Sequence, residues 1–447
     1  MNKKYLDLFQ ALVKAYYNDN FDKTIVSILN DNNIEKEKLA QCISLLCGVN
    51  FPTDENFVEN LKLAISSYKA NEKIVYKLAN TECSCKSDGE TLCQTACPFN
   101  AILKDPITAT TYIDMDACTD CGFCISACEM GNLMDRVEFL PIVDILKSGT
   151  PVIASVAPSI IGQFGENVSM DQLRAAFKKL GFTDMVETAF FADMLTIKEA
   201  VEFNHFVKSK NDLMITSCCC PMWVGMLKRV YEDLVKYVSP SVSPMIASGR
   251  VLKALNPDCK VVFVGPCIAK KAEAKEKDLL GDIDYVLTFQ ELQGIFDILD
   301  INPSELEGIP SLEYSSKGGR LYGRAGGVSI AIADAIKELY PNKYDLLSAI
   351  HVDGVPDCKA ILDKAQSGSL ESNFIEGMGC KGGCVGGPKA IIPTEEGKKI
   401  LDDFALDSAY KVATHSEVML DILKDIGINS LKDFKDPEKI NIFERHF

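Results

Sequence analysis

Apolar positions recur at helical spacing through the first eighty residues. Tyr5, Leu8, Phe9, Leu12 and Val13 share one helix face, as do Ile25, Ile28 and Leu29. Asn50-Phe-Pro-Thr-Asp54 reads as a turn, with Thr53 or Asp54 capping the next helix. The apolar stretch 39–49 holds Cys42 and Cys47, whose spacing suits buried small hydrophobes rather than ligands. From about 141 the pattern changes. Short apolar runs at 152–156, 213–217, 261–264, 347–352 and 374–378 alternate with amphipathic segments at 170–180, closed by Gly181, and at 192–206. The stretch after Thr394 reads as helices, one ended by Gly427. Strands alternating with helices predict an α/β domain with mixed or parallel sheets. The expected division is a helical segment over 1–80 with no legible function, a cysteine-rich module over 81–140, and an α/β domain over 141–447.

Composition narrows the chemistry. The 447 residues are 47% hydrophobic, enough for a large core, and the formal charge of −16 disfavours nucleic acid or an anionic membrane surface as partner. No run reaches the length of a membrane span, and the N-terminal stretch lacks the apolar core of a signal peptide. These features predict a protein of the reducing cytoplasm. There, 18 cysteines are metal ligands or redox groups rather than structural disulfides. So many thiolates also imply an anaerobic setting.

Eight of the cysteines form one pattern. Cys83-Ser-Cys85-x7-Cys93-x3-Cys97-Pro98 is followed by Cys118-x2-Cys121-x2-Cys124-x3-Cys128. The second run has the bacterial ferredoxin spacing, in which three thiolates hold one 4Fe–4S cubane and the fourth reaches the other cluster. Reciprocity assigns Cys97, Cys118, Cys121 and Cys124 to one cluster and Cys83, Cys85, Cys93 and Cys128 to the other. The first run departs from the common spacing, so its ligand set stays open and one of Cys83 and Cys85 is expendable. Ile102 and Leu133 are expected in the apolar shell. Zinc is the competing metal, and eight cysteines with a Cys-Pro favour iron–sulfur.

Three further cysteine loops each follow an apolar run: 218–220, Cys267, and Cys380 with Cys384. Ligands in open α/β sheets lie beyond the carboxyl ends of strands. The loops are therefore expected to meet at one end of a sheet, where four thiolates would hold another cubane.

These loops carry a resemblance. Thr216-Ser-Cys-Cys-Cys-Pro221-Met-Trp223, Gly265-Pro-Cys267-Ile-Ala-Lys270-Lys-Ala-Glu273 and Met378-Gly-Cys380-Lys-Gly-Gly-Cys384-Val-Gly-Gly-Pro388 resemble the three signature loops of the iron-only, or [FeFe], hydrogenases. The triple cysteine is similar to a divergent branch, group B. The resemblance covers about 80–447 and implies a ferredoxin-like α+β module over 81–140 and a catalytic domain over 141–447. It implies an H-cluster: a 4Fe–4S cubane linked to a two-iron unit carrying CO, cyanide and a bridging dithiolate. By motif, Cys220, Cys267, Cys380 and Cys384 would hold the cubane, with Cys384 as the bridge. Lys270 would hydrogen-bond a cyanide, and Gly265, Pro266, Ala157, Pro158, Met245 and Met378 would line the pocket. Outside that context Lys270 is an exposed helix-start lysine like Lys271, and Lys270 with Glu273 a surface pair.

The extra cysteine opens two registers. Anchoring on Thr216-Ser217 makes Cys218 the proton-carrying thiol and Cys219 the ligand. Anchoring on Pro221-x-Trp223 makes them Cys219 and Cys220, and preserves the spacing to an acidic helix, so it is preferred. On that helix Glu199 and Glu202 stand i,i+3 and would continue the proton path, with Ser239 bridging them. Phe206 stands where members often have a basic exit residue. Gly265, Met245 and the Gly-Gly-Pro ending of the third loop also depart from common residues. The implied activity is reversible reduction of protons to H2, with a ferredoxin as electron carrier and maturation proteins installing the two-iron unit. A hydrogen or redox sensor, a non-catalytic relative and a plain electron-transfer protein are the alternatives.

Overall fold

The computed structural model describes residues 3–30, 36–51, 56–70, 73–78, 85–87, 90–108, 110–216, 219–311 and 315–446. The proposed caps Thr53 and Asp54, together with Cys83 and Cys218, lie outside the described residues. Two compact units emerge: Met1–Thr150 with Cys267–Glu276 and Tyr285–Asn302, and Pro151–Pro266 with Lys277–Asp284 and Pro303–Phe447.

The first unit begins with helices α1 (Lys3–Tyr17), α2 (Phe21–Leu29), α3 (Lys36–Leu46) and α4 (Phe57–Ser66). Phe9, Leu12, Val13 and Ile25 are fully buried, so the spacing that predicts these helices also marks their inner faces. Cys42 and Cys47 are buried, as small hydrophobes would be.

The cysteine-rich stretch then repeats one design twice. Strand β1 (Val75–Lys77) precedes a short helix, α5 (Leu92–Thr95), and the hairpin β2 (Ile102–Lys104) and β3 (Thr111–Ile113). A second short helix, α6 (Phe123–Ala127), leads to β4 (Leu133–Asp135), which pairs antiparallel with β1. In each half a helix carrying a cysteine is followed by a cysteine four residues on and then by a strand. Ile102 and Leu133 are buried in the same cluster as Cys93 and Cys124.

The second unit contains two sheets. In one, β5 (Val152–Val156) is central and parallel both to β6 (Asp184–Glu187) and to a strand over Lys260–Gly265. In the other, Phe374–Met378 is central and parallel to Met214–Ile215 and to Ala349–Asp353. The α/β expectation holds. The expectation of one sheet does not: the loops after residues 215 and 378 spring from neighbouring strands, while that after Gly265 leaves the other sheet. The run at 213–217 also yields only two strand residues. Asn373 O and Ile375 O accept bonds from Met214 and Thr216, so the pairing is brief.

Helix α7 (Met170–Leu180) starts at a Ser169–Gln172 capping box and stops at Gly181, φ 110°. Helix α8 (Thr188–Phe206) starts four residues before the sequence suggests and is buried through Phe203.

Candidate functional site

In the first unit, Cys97, Cys118, Cys121 and Cys124 line one small cavity with Val75, Phe99, Ile102 and Ile113. These are the four cysteines that spacing assigns to one cluster. Three features aim their sulfurs. Ala101 N–H donates to Cys97 Sγ at 3.2 Å, and Asp120 N–H to Cys118 Sγ at 3.4 Å. Asp120, in the left-handed region at φ 54°, accepts from Ile74 N and Val75 N and so ties the cysteine turn to β1. Burial, together with Asp120, pushes the Cys118 thiol up to about 11. Burial likewise pushes Cys121 to about 12. Bare thiolates are disfavoured there, whereas a bound metal deprotonates its thiols outright.

The other cysteines of this stretch are divided. Cys93 is buried, 3.1 Å from Thr91 Oγ1, and Cys128 Sγ accepts from Asn132 N–H at 3.3 Å. Cys85 is partly exposed.

The segment 267–276 shows how Lys270 and Lys271 differ. Lys270 donates to Glu273 Oε2 at 2.6 Å, and both side chains are buried. This is no surface pair. Lys271 is not exposed either. It is 0% accessible and donates to Asp135 at 2.9 Å, Glu291 at 2.5 Å and the Arg136 carbonyl at 2.5 Å. Burial alone would lower its proton affinity, but the two carboxylates outweigh it and hold the ammonium above its ordinary range. Neighbouring Ile268 belongs to the apolar cluster of Cys93 and Cys124.

In the second unit, Gly379 N–H donates to Cys220 Sγ at 3.3 Å, joining the first cysteine loop to the last. Lys389 N–H donates to Pro266 O at 3.0 Å, and Gly387 lies against the same carbonyl. Cys267 follows Pro266 in the chain. Gly265 is packed so closely that a Cβ would stand 2.7 Å from the Phe263 ring and 3.3 Å from Ala157. Met245 and Met378 are buried, and Pro158 opens a short 3-10 turn. At Gly383, φ is 87° and a Cβ would stand 2.4 Å from Ala325 N. The glycines of this loop thus admit neighbouring protein, a role the sequence does not separate from closeness to a cofactor.

Cys358 escaped sequence reasoning. It is buried and its thiol lies 3.4 Å from Met378 O. Burial, then the nearby Cys220, pushes it up to about 12. A single cysteine on an amphipathic helix gives no spacing signal.

The acidic helix places its carboxylates inside. Glu199 is 0% exposed and accepts from Thr216 Oγ1 at 3.2 Å; Cys219 follows three residues later. Glu202 accepts from Ser239 Oγ at 2.7 Å, and Ser239 lies 2.8 Å from Ser241 Oγ. The solvated helix face is therefore excluded for both.

The family follows from comparison. The model of the iron only hydrogenase large subunit, C-terminal domain, matches residues 150–388, more than half of the chain, which therefore belongs to this family. Among its relatives is the NADP-reducing hydrogenase subunit HndD of Solidesulfovibrio fructosivorans, 27% identical over 60% of this chain and 55% of that protein. Iron hydrogenase 1 of Clostridium pasteurianum is 29% identical over 53% and 49%. The chain spans about half the length of these two relatives. Cytosolic iron-sulfur assembly component 3 of Rattus norvegicus is 24% identical over 65% of this chain and 74% of that one. In fold, the chain is similar to the FeFe-hydrogenase HydA(deltaEFG), with a TM-score of 0.55 at 24% identity over 67% of this chain and 94% of that one. The low identities fit a divergent branch. No helix among the described residues is long and apolar enough to cross a membrane.

Proposed function

We propose that this chain catalyses reversible proton reduction, two protons and two electrons giving H2, at an H-cluster. The observation that carries the reading is the family match together with a full set of chemical residues in its three loops: the thiol Cys219, the buried Lys270 and the thiol Cys384. Cys220, Cys267, Cys380 and Cys384 would hold the cubane. The bond from Gly379 N–H to Cys220 Sγ fits a sulfur ligand tuned by a backbone donor. When bound, the two-iron unit supplies the centre where protons and electrons combine.

The protein's own part is proton and electron delivery. Cys219 exchanges a proton with the reacting centre, Glu199 and Glu202 carry it outward, and Ser239 hands it on by giving its hydroxyl proton while accepting another. Lys270, its charge balanced by Glu273, offers donors to an anionic ligand in a dry pocket. Ala157, Pro158, Gly265, Pro266, Met245 and Met378 exclude water around it.

Residues 81–140 would form a ferredoxin-like module with two 4Fe–4S clusters. The cavity of Cys97, Cys118, Cys121 and Cys124 supports the first cluster. The two-residue gaps between Cys118, Cys121 and Cys124 and the Cys-Pro at Cys97 favour a cluster over zinc. Cys85, Cys93 and Cys128, with Cys83, would serve the second. Electrons would come from a soluble ferredoxin in the cytoplasm, and maturation proteins would insert the two-iron unit.

The relatives named for cytosolic iron–sulfur assembly favour a second reading, an iron–sulfur protein without hydrogen chemistry. Infrared spectroscopy decides between the two. The protein is matured anaerobically with the two-iron unit supplied; CO and cyanide bands with H2 evolution are expected. A fully iron-loaded sample without those bands would remove the hydrogenase reading.

A further inference from the structure

We infer that Lys198 and Glu444 form the outer end of the proton path: Lys198 is the buried counter-ion shared by two carboxylates, and Glu444 is the carboxylate at the mouth. The inference rests on the relay reading of Glu202 given above.

Lys198 sits on α8 and is 0% exposed. A buried ammonium is costly unless paired and fully bonded. Here Lys198 Nζ donates to Glu202 Oε1 and to Ser241 Oγ at 3.0 Å, and Glu444 Oε1 lies 3.7 Å away. Glu202 is held at both oxygens, by Lys198 on Oε1 and by Ser239 on Oε2. Its carboxylate therefore has one orientation, with the second oxygen aimed along the serine relay.

A solvent-open cavity reaches this cluster. Glu202, His205, Phe206, Pro240, Lys435 and Glu444 are among its walls. Glu444 is fixed there by main-chain pairing: residue 444 bridges Ser241, Val242 N–H donates to Phe443 O, and Arg445 N–H donates to Pro240 O. Phe206, on the same helix and 57% exposed, lines the cavity without a charge, so the cation at this end of the helix that contacts Glu202 is Lys198.

The arrangement conserves charge as a proton moves. A proton from the cavity neutralises Glu444. Its transfer to Glu202 restores the Glu444 carboxylate and neutralises Glu202. The negative charge has moved outward by one carboxylate, and Lys198 faces a carboxylate before and after. Without Lys198 each hop would leave a buried charge unpaired.

Infrared difference spectra of the loaded protein test this, using the Glu202 carboxyl band identified by its loss in Glu202→Gln. Lys198→Met should shift the frequency of that band, because it removes the donor on Glu202 Oε1, and should slow H2 evolution. Glu444→Gln, at a partly exposed side chain, should slow H2 evolution and enlarge its solvent isotope effect, with CO and cyanide bands unchanged. If Lys198→Met does not fold, Ser241→Ala, which removes another partner of Lys198, takes its place, with slower H2 evolution expected. An inactive Glu202→Gln beside an unmoved band and unchanged Glu444→Gln kinetics would overturn the inference and leave the relay standing. Wild-type turnover in Glu202→Gln would remove the relay itself.

Discussion

The side chain of Ile268 occupies the space a Cβ on Gly122 would need: its Cδ1 stands 2.4 Å from that position. Gly122 separates Cys121 from Cys124 at a φ of 81°, and Ile268 follows Cys267. The turn carrying two proposed ligands of one cluster is therefore in apolar contact with the residue next to a proposed ligand of the H-cluster. Such a contact would exclude water between the proposed clusters.

Gly122→Ala meets both the left-handed backbone and the Ile268 side chain. The strain of the first is about 1–3 kcal/mol, and overpacking adds a similar amount. Reduced iron content per chain and a lower unfolding temperature are expected, checked by iron analysis and calorimetry. Ile268→Ala should instead keep its iron and slow electron transfer to the active site, read as slower H2 evolution with a saturating electron donor.

Lys271 is a stability centre. Lys271→Met would strand Asp135 and Glu291 without their cation, at a cost of about 3–5 kcal/mol. Urea unfolding of the single variant measures this. Neutralising both carboxylates as well, with Asp135→Asn and Glu291→Gln, should recover most of the loss.

Asp193 gives a pH signature. It is fully buried, bonded by Ser316 N and Oγ, and burial lifts its carboxyl from 3.8 to about 7 against those bonds. Between these values the folded protein keeps a proton that the unfolded chain has released. Its contribution therefore falls as pH rises through that window and levels off above it. Asp193→Asn should remove this slope from a stability-versus-pH series taken by denaturant melts.

The cysteine register has a direct test. Cys219→Ala should lower turnover by about 10²–10⁴-fold, the range for a lost proton-transfer group, with CO and cyanide bands retained. If instead Cys218→Ala is inactive and Cys219→Ala is not, the thiol is one residue earlier. Cys384→Ser should lose the bands altogether, because the proposed link to the two-iron unit goes with it.

The legible parts of the fold were those with strong local patterns. Residues 152–156 and 374–378 are short, mostly apolar runs, broken only by Ser155 and by Glu376 with Gly377, and α7 carries its own cap signals, so their bounds follow from the chain alone. What was hidden depends on distant partners. Lys271 reads as one more lysine beside Lys270 because Asp135 lies 136 residues away. Lys198 reads as a surface charge on a helix with three acidic residues. Its true setting depends on Ser241 and Glu444, which only the tertiary fold supplies. The three cysteine loops were placed at one sheet because apolar runs reveal strands without revealing their neighbours. That Cys118, Cys121 and Cys124 line one cavity was legible because their close spacing keeps them on neighbouring turns.

The Lys271 knot has a consequence for assembly. It fastens the helix Ala269–Glu273 to the strand after Cys128 through charges that need no iron. The turn that starts at Cys267 is thus held by bonds within the polypeptide itself. Less chain ordering would then oppose capture of a cluster at Cys267.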